Sequence, residues 1–234
     1  MLTVICSTNI VHSDPTVSDG LSGDDHEIGD EFVSSATASR QSVQIPTKLD
    51  FEATALQADI CPKIGFFKGG ISDVLPVTDF QALSLTAQLF ESRWMLNYFY
   101  LDGEGQLDLK RLRESCARVV DAFDILRTVF VCSGDNFYQV ILKKVRPSII
   151  IYETQTDLDT FTAGLQQRDR AQGLRQGEQF VQFVVAKRRG TPQHRLLVRL
   201  SHAQYDGMCI SKILDAIKQG YEGGTLRPAM SFAN

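Results

Sequence analysis

The segment Ser201-His202-Ala203-Gln204-Tyr205-Asp206-Gly207 carries the residues of this chain best suited to chemistry. It lies between a run of strand-forming residues and an amphipathic helical pattern. A histidine at such a junction is held by rigid backbone while its ring faces outward. Imidazole titrates near neutrality, so His202 can take a proton from an incoming amine or hydroxyl. Asp206, four residues on, can brace the loop. Gly207 permits a positive φ or a close backbone approach at the helix start. A structural histidine bonded to a loop carboxylate gives the same His-x3-Asp pattern, so spacing alone leaves both readings open. A metal site is the poorer reading, because His12, His26 and His194 offer no partner at ligand spacing. Cys209 sits close to the same helix start, where the dipole lowers a thiol pKa. It is either the nucleophile of a Cys–His pair or a small capping residue, and the second reading is preferred.

The flanking patterns predict the elements that position this loop. Leu196, Val198 and Leu200 alternate with Leu197, Arg199 and Ser201, which predicts a strand over Arg195–Ser201. Ile210, Ile213, Leu214, Ile217 and Tyr221 recur at helical spacing, and Gly223-Gly224 ends that helix. Upstream, Leu109, Leu112, Cys116, Val119, Val120 and Phe123 predict a second amphipathic helix with Asp108 as N-cap. Thr128–Cys132 and Phe137–Leu142 flank Ser133-Gly134-Asp135-Asn136, which predicts a hairpin with a four-residue turn. Val74–Val77, Asn97–Leu101, Ser148–Tyr152 and Gln179–Ala186 read as further strands, the second ending at an Asp102-Gly103 turn. Leu83–Asn97 has helical content without a clean stripe. Thr156 can cap a helix reaching about Gln172. Lys187-Arg188-Arg189 belongs to a solvated turn rather than a phosphate site. The order predicts an α/β (α+β) sandwich, an open mixed sheet with helices packed on it.

Composition bounds the class. The chain has 234 residues, 43% hydrophobic and 22% charged, with a net charge of −4. That excludes a generally basic nucleic-acid binder, and no apolar run approaches a membrane span. Five widely spaced cysteines form neither a disulfide framework nor a CxxC motif. They predict a reduced, cytoplasmic chain. Residues 1–45 hold seven acids and one base, Arg40, and are rich in Ser, Thr, Gly and Asp. Such a stretch buries too little apolar surface to offset its ordering entropy, so it is expected to be a disordered acidic segment. Met1–Ile10 lacks the basic n-region of a signal peptide. Residues 46–72 read as a linker punctuated by Pro46, Cys61-Pro62 and Gly69-Gly70.

Three ordered stretches together resemble one known family. His202-Ala203-Gln204-Tyr205-Asp206-Gly207 is similar to the His-His-x3-Asp-Gly signature of the condensation domains of non-ribosomal peptide synthetases, within the chloramphenicol acetyltransferase-like superfamily. Leu126-Arg127-Thr128-Val129-Phe130 resembles that family's Leu-Arg-Thr-x-Phe segment. Val74-Leu75-Pro76-Val77-Thr78-Asp79-Phe80-Gln81 resembles its opening strand. Tyr221-Glu222-Gly223 and Pro228 to Phe232 suit the segment after the signature. The resemblance covers residues 73–234 and implies the N-terminal lobe of a two-lobed domain. Two departures stand out. Ser201 replaces the first histidine, as is common in fungal terminal domains that release peptides by cyclisation. Ala122-Phe123-Asp124 replaces the usual Arg-His-Glu before the arginine.

The resemblance implies that an amine attacks an acyl or peptidyl thioester held on the phosphopantetheine of a partner carrier protein. His202 is then catalytic. Asp206, Arg127 and Gly207 support the site, with a carboxylate–guanidinium pair expected between Asp206 and Arg127. Ser201 and Cys209 take minor roles, and no cofactor or metal is bound by the chain itself. A second lobe is expected to be missing, leaving this lobe inactive alone. The alternatives are a stand-alone CoA- or carrier-dependent acyltransferase with its site between subunits, and a non-catalytic carrier-docking remnant.

Overall fold

Two sheets and five helices form in a computed structural model that describes residues 2–5, 55–65, 70–90, 95–172 and 177–225. The elements run β1 (Leu2–Ile5), α1 (Ala55–Ile64), β2 (Ile71–Pro76), α2 (Asp79–Phe90), β3 (Leu96–Glu104), α3 (Leu109–Ala122), β4 (Thr128–Ser133), β5 (Asn136–Leu142), β6 (Ile149–Thr154), α4 (Leu158–Arg170), β7 (Gln182–Arg188), β8 (Gln193–Ser201) and α5 (Cys209–Tyr221). Single 3-10 turns occupy Asp124–Arg127 and His202–Gln204. The larger sheet has the order β1-β3-β8-β7-β6, and the smaller one the order β2-β5-β4. All pairs are antiparallel except β6 with β7. From β2 onward the element order is the one the hydrophobic periodicity predicts, and the mixed α/β class holds. The separate three-stranded sheet is an addition.

Strand β8 is the middle of the larger sheet, and eight of its nine residues are buried. Both of its faces are covered, so its apolar residues Leu196, Leu197, Val198 and Leu200 and its polar residues Arg195 and Arg199 are all buried. On one face Leu196, Val198 and Leu200 join Phe99, Leu101, Phe183 and Val185 in a cluster with Leu112, Cys116, Val119 and Val120 of α3 and Ile210, Ile213, Leu214 and Ile217 of α5. Each fully buried aliphatic side chain contributes about 1.5–3 kcal/mol. On the other face Leu197 packs with Tyr98, Tyr100 and Ala186 beneath Leu158 and Phe161 of α4. Two buried arginines of β8 hold α4 in place. Arg195 donates Nε and Nη2 to the two Asp102 oxygens, at 2.5 and 2.7 Å, and Nη1 to Asp159 at 2.6 Å. Arg199 Nη1 donates to Asp169 at 2.9 Å. Helices α3 and α5 meet where Ser115 Oγ donates to the Ile217 carbonyl at 2.7 Å. Their approach requires Gly220, because a Cβ there would stand 2.4 Å from Ser115 Oγ.

Caps and turns explain the boundaries, and some differ from the sequence expectation. Asp108 caps α3 as predicted, accepting Arg111 N–H at 3.0 Å. Helix α4 is capped by Asp157 rather than Thr156. Helix α2 occupies 79–90, earlier than the Leu83–Asn97 pattern suggested. The Asp102-Gly103 pair does not turn: Asp102 is drawn into the ladder opposite Arg195, and β3 runs on to Glu104. The β4–β5 loop has two residues, not four, because Ser133 and Asn136 pair and Gly134 takes φ +59°.

The N-terminal expectations also change. Leu2–Ile5 is a strand on the edge of β3, not irregular chain, while residues 6–54 lie outside the described residues. The stretch read as a linker contains helix α1, whose Ile60 is fully buried. Lys63 Nζ bridges Asp59, at 2.6 Å, and the Cys132 carbonyl of β4, at 2.7 Å. The end of α1 is pressed against Gly177, where a Cβ would lie 2.6 Å from the Lys63 carbonyl oxygen. Gly177 also has φ +72°. Substitution Gly177→Ala should therefore lower stability by about 1–3 kcal/mol. Denaturant unfolding checks this, and an unchanged midpoint would mean that α1 is not docked there.

Candidate active site at the end of strand β8

Strand β8 ends at Ser201 because the backbone there exchanges the ladder for a capping box. Ser201 Oγ accepts the Ala203 N–H at 3.2 Å, and Gln204 Oε1 accepts the Ser201 N–H at 3.2 Å. This closes the single turn His202–Gln204. The turn is then fixed from three sides. His202 N–H donates to the Met95 carbonyl just before β3, at 2.9 Å. Gln204 Nε2 donates to the Ile125 carbonyl at 3.0 Å. Gln81 Nε2 donates to the Ala203 carbonyl at 3.1 Å. Gln81 is itself set by a reciprocal box with Thr78, at 2.9 and 3.3 Å. The Val74–Gln81 stretch thus reaches the turn directly, and the Leu126–Phe130 stretch begins right after its other partner, Ile125.

The His202 ring is held by aromatic neighbours. It stacks on Tyr205, with centroids 4.8 Å apart and planes 6° from parallel. Phe80 of α2 presents its ring at 5.0 Å and 74°. Nδ1 lies 3.3 Å from the Tyr205 carbonyl oxygen. A carbonyl oxygen only accepts, so this contact is a hydrogen bond when Nδ1 carries the proton. In that neutral tautomer Nε2 presents a lone pair. The half-buried ring can then take a proton at Nε2.

Several large apolar side chains of α2 and of the segment before α5 are exposed. Phe80 and Leu83 of α2 are 49% and 63% exposed, and Met208 is 76% exposed. They are three of the four exposed large hydrophobic side chains among the described residues. Two clefts, of about 370 and 630 Å³, lie elsewhere: one between α4 and the β6–β7 edge, the other beside Asp102 and His194. His202 lines neither of them.

The remaining predicted residues sit close by, in partly different roles. Asp206 does not pair with Arg127. Its Oδ1 accepts the N–H groups of Met208 and Cys209, at 2.9 and 2.7 Å, at the N-terminus of α5. Those backbone bonds, the Cys209 one first, hold its carboxyl below the usual carboxylate range. Arg127 turns away, pairing with Asp124 and donating Nη1 to the Leu142 carbonyl at 2.5 Å. The local i,i+3 partner wins because Asp124 begins the same 3-10 turn. Gly207 has no positive φ, and a Cβ there would meet no heavy atom within 4 Å. Its small size is not needed by the described chain. Burial pushes the Cys209 thiol up, against the helix dipole. Its sulfur accepts the Asp206 N–H at 3.2 Å, as a capping group does. Ser201 is fully buried in the capping box.

Sequence reasoning missed Phe80, Gln81, Tyr205 and Gln204 as parts of the site. Thr78-x2-Gln81 and Ser201-x2-Gln204 are both capping-box spacings, so that signal was present. Among the described residues no group of three or more His, Cys, Asp or Glu could hold a metal. No helix among them is long and apolar enough to cross a membrane.

A family model described as the condensation domain matches residues 71–231. The chain belongs to the condensation-domain family. Its relatives include nonribosomal peptide synthetase 1 of Aspergillus fumigatus, 65% identical over 181 residues, which are 77% of this chain and 3% of that protein. Nonribosomal peptide synthetase nlsA of Emericella nidulans is 59% identical over 209 residues, 88% of this chain and 3% of that protein. Among solved structures, the crystal structure of SeMet-CT aligns with a TM-score of 0.67 at 26% identity, over 80% of this chain and 43% of that one. The starter condensation domain of rhizomide synthetase RzmA aligns at 0.58 and 21% identity, over 68% of this chain and 42% of that one. The chain therefore spans less than half of either solved chain and a small fraction of the two synthetases.

Two substitutions separate the roles of Arg127 and Asp206. Arg127→Ala should lower stability by about 1–3 kcal/mol through the lost buried bonds and leave the His202 resonances in place. Asp206→Ala should speed amide exchange in the first turn of α5. Because the Asp206 pKa is lowered in the folded state, its stabilisation is present above the ordinary carboxylate pKa and is lost as the pH falls below it. Exchange-rate and unfolding measurements at two pH values test both. A shared loss on either substitution, non-additive in the double variant, would restore the direct pair.

Proposed function

We propose that residues 73–234 form the histidine-bearing N-terminal lobe of a condensation domain that makes an amide bond, including cyclising release, from a carrier-bound thioester. The observation that carries this reading is the His202 ring, fixed at the end of β8 with Nδ1 at the Tyr205 carbonyl and Nε2 available as a base. The acyl donor is a thioester on the phosphopantetheine arm of a partner carrier protein. As the amine nitrogen attacks the thioester carbonyl, His202 takes its proton at Nε2. Collapse of the tetrahedral intermediate breaks the carbon–sulfur bond, and the departing thiolate takes the proton back from the imidazolium.

The open space at Gly207 suits this chemistry. Gly207 lies just before α5, whose Met208 and Cys209 N–H groups already bind Asp206, so its proposed part is to leave room for the substrate and not to offer those amides to an oxyanion. Nothing within the described chain requires a glycine there, which fits a substrate arm passing close to the backbone. Ser201 in place of the first signature histidine supports the cyclising form of the reaction. The exposed Phe80, Leu83 and Met208 fit a surface covered by a second lobe, so this lobe alone is expected not to turn over. Among the described residues the thiols of Cys61, Cys116, Cys132 and Cys209 are free, which supports a reducing, cytoplasmic setting.

The test uses the two-lobed domain with a loaded carrier. His202→Ala should lower the rate of amide formation by roughly 10²–10⁴-fold while carrier binding is unchanged. Product formation at the unaltered rate would remove His202 from the reaction. Unaltered binding with no product from either form would favour a docking remnant.

A further inference from the structure

Tyr205 is more than a neighbour of His202. Its ring is anchored on its far side by Phe99, at 5.1 Å and 90°. Its phenol neighbours the Asn97 side chain. Asn97 Nδ2 donates to the Met95 carbonyl at 3.4 Å, the same carbonyl that accepts the His202 N–H. The Tyr205 carbonyl receives His202 Nδ1. These contacts form a closed brace: Met95, Asn97, the Tyr205 ring, the Tyr205 carbonyl, the His202 ring and the His202 backbone. One residue therefore supplies both the flat face under the imidazole and the acceptor that selects its tautomer. Burial pushes the Tyr205 phenol up to about 12, so the ring stays neutral and takes no proton itself.

We propose that Tyr205 is the positioning residue of the site, fixing His202 in the Nδ1–H tautomer with Nε2 directed outward. Resting on the reading of His202 as the proton acceptor, this gives that reading its geometric cause. Free imidazoles favour no such fixed orientation; a ring turned over would present Cε1–H, and the other tautomer Nε2–H, neither of which can accept the amine proton. The flat contact of the two rings holds the plane, and the Asn97–Phe99 anchor holds the Tyr205 ring. The turn after β8 then needs no charged partner for the histidine.

The experiment is two-bond proton–nitrogen NMR of the ¹⁵N-labelled 234-residue chain, above the titration range of ordinary imidazole. It reads the tautomer directly and needs no substrate. The unaltered chain should show His202 with Nδ1 protonated and Nε2 bare. Tyr205→Leu keeps the backbone carbonyl and removes the aromatic face and the Asn97 contact. It should shift the tautomer ratio toward Nε2–H by roughly fivefold or more, the scale of one aromatic pair. An Nε2–H ring in the unaltered chain, or an unchanged ratio in a folded Tyr205→Leu chain, would overturn the proposal. Should Tyr205→Leu fail to fold, Tyr205→Met decides: it fills more of the space and still removes the aromatic face. A shift in the same direction supports the proposal, and none overturns it. Because the readout is a tautomer, it can fail while His202→Ala still abolishes condensation, and it can succeed if condensation proves to be the wrong reaction.

Discussion

Burial of β8 on both faces governs how every other element is placed. A strand in the middle of a five-stranded sheet has no solvent side, so each of its faces must be covered by other elements. Helices α3 and α5 cover one face with aliphatic side chains. Helix α4 covers the other, where Arg195 and Arg199 reach carboxylates that face the sheet. Buried guanidinium groups are tolerated only when paired, and breaking such a pair costs about 3–5 kcal/mol. The strand is therefore fixed in register and along its length. His202, the next residue after its end, inherits that fixed position.

The turn that carries His202 is fixed by amides rather than charges. Gln204 reaches Ile125, and Gln81 reaches Ala203. Both donors belong to capping boxes that set their own side chains before they reach across. This explains why stretches far apart in the chain belong to one site. The Val74–Gln81 stretch supplies Phe80 and Gln81, the Leu126–Phe130 stretch adjoins the acceptor carbonyl of Ile125, and the Ser201–Gly207 stretch supplies the histidine. Polar side chains bonded to backbone carbonyls are a specific device, since each bond needs one length and one direction. The arginine of the middle stretch holds the neighbouring Asp124–Arg127 turn to the end of β5.

The site has two sides of different character. On the inner side His202 meets Tyr205 and ordered backbone. On the outer side the half-exposed Phe80 ring meets the imidazole edge-on, with exposed Leu83 one turn further along α2. His202 itself is half-buried at the end of β8 rather than enclosed in the core.

Local elements were legible in the bare chain, because short-range physics sets them. Hydrophobic period, Asp108 as a cap and the glycines after α5 define the helices and strands from β2 onward. The motif residues also marked the Ser201–Gly207 stretch as the turn on which the other two stretches converge. Pairings between side chains were settled only by the folded arrangement. Asp206 and Arg127 have complementary charges, yet Asp206 caps α5 and Arg127 binds Asp124, since nearby partners cost less chain entropy to bring together. The Asp102-Gly103 pair has the composition of a turn, but the cross-strand bond to Arg195 keeps it in β3. Helix α1 could not be read from its punctuated sequence, because its stability comes from docking on β4 and Gly177 rather than from its own propensity. The same holds for the stack of Tyr205 on His202: residues three apart meet only because a 3-10 turn, fixed by distant amides, folds one ring over the other.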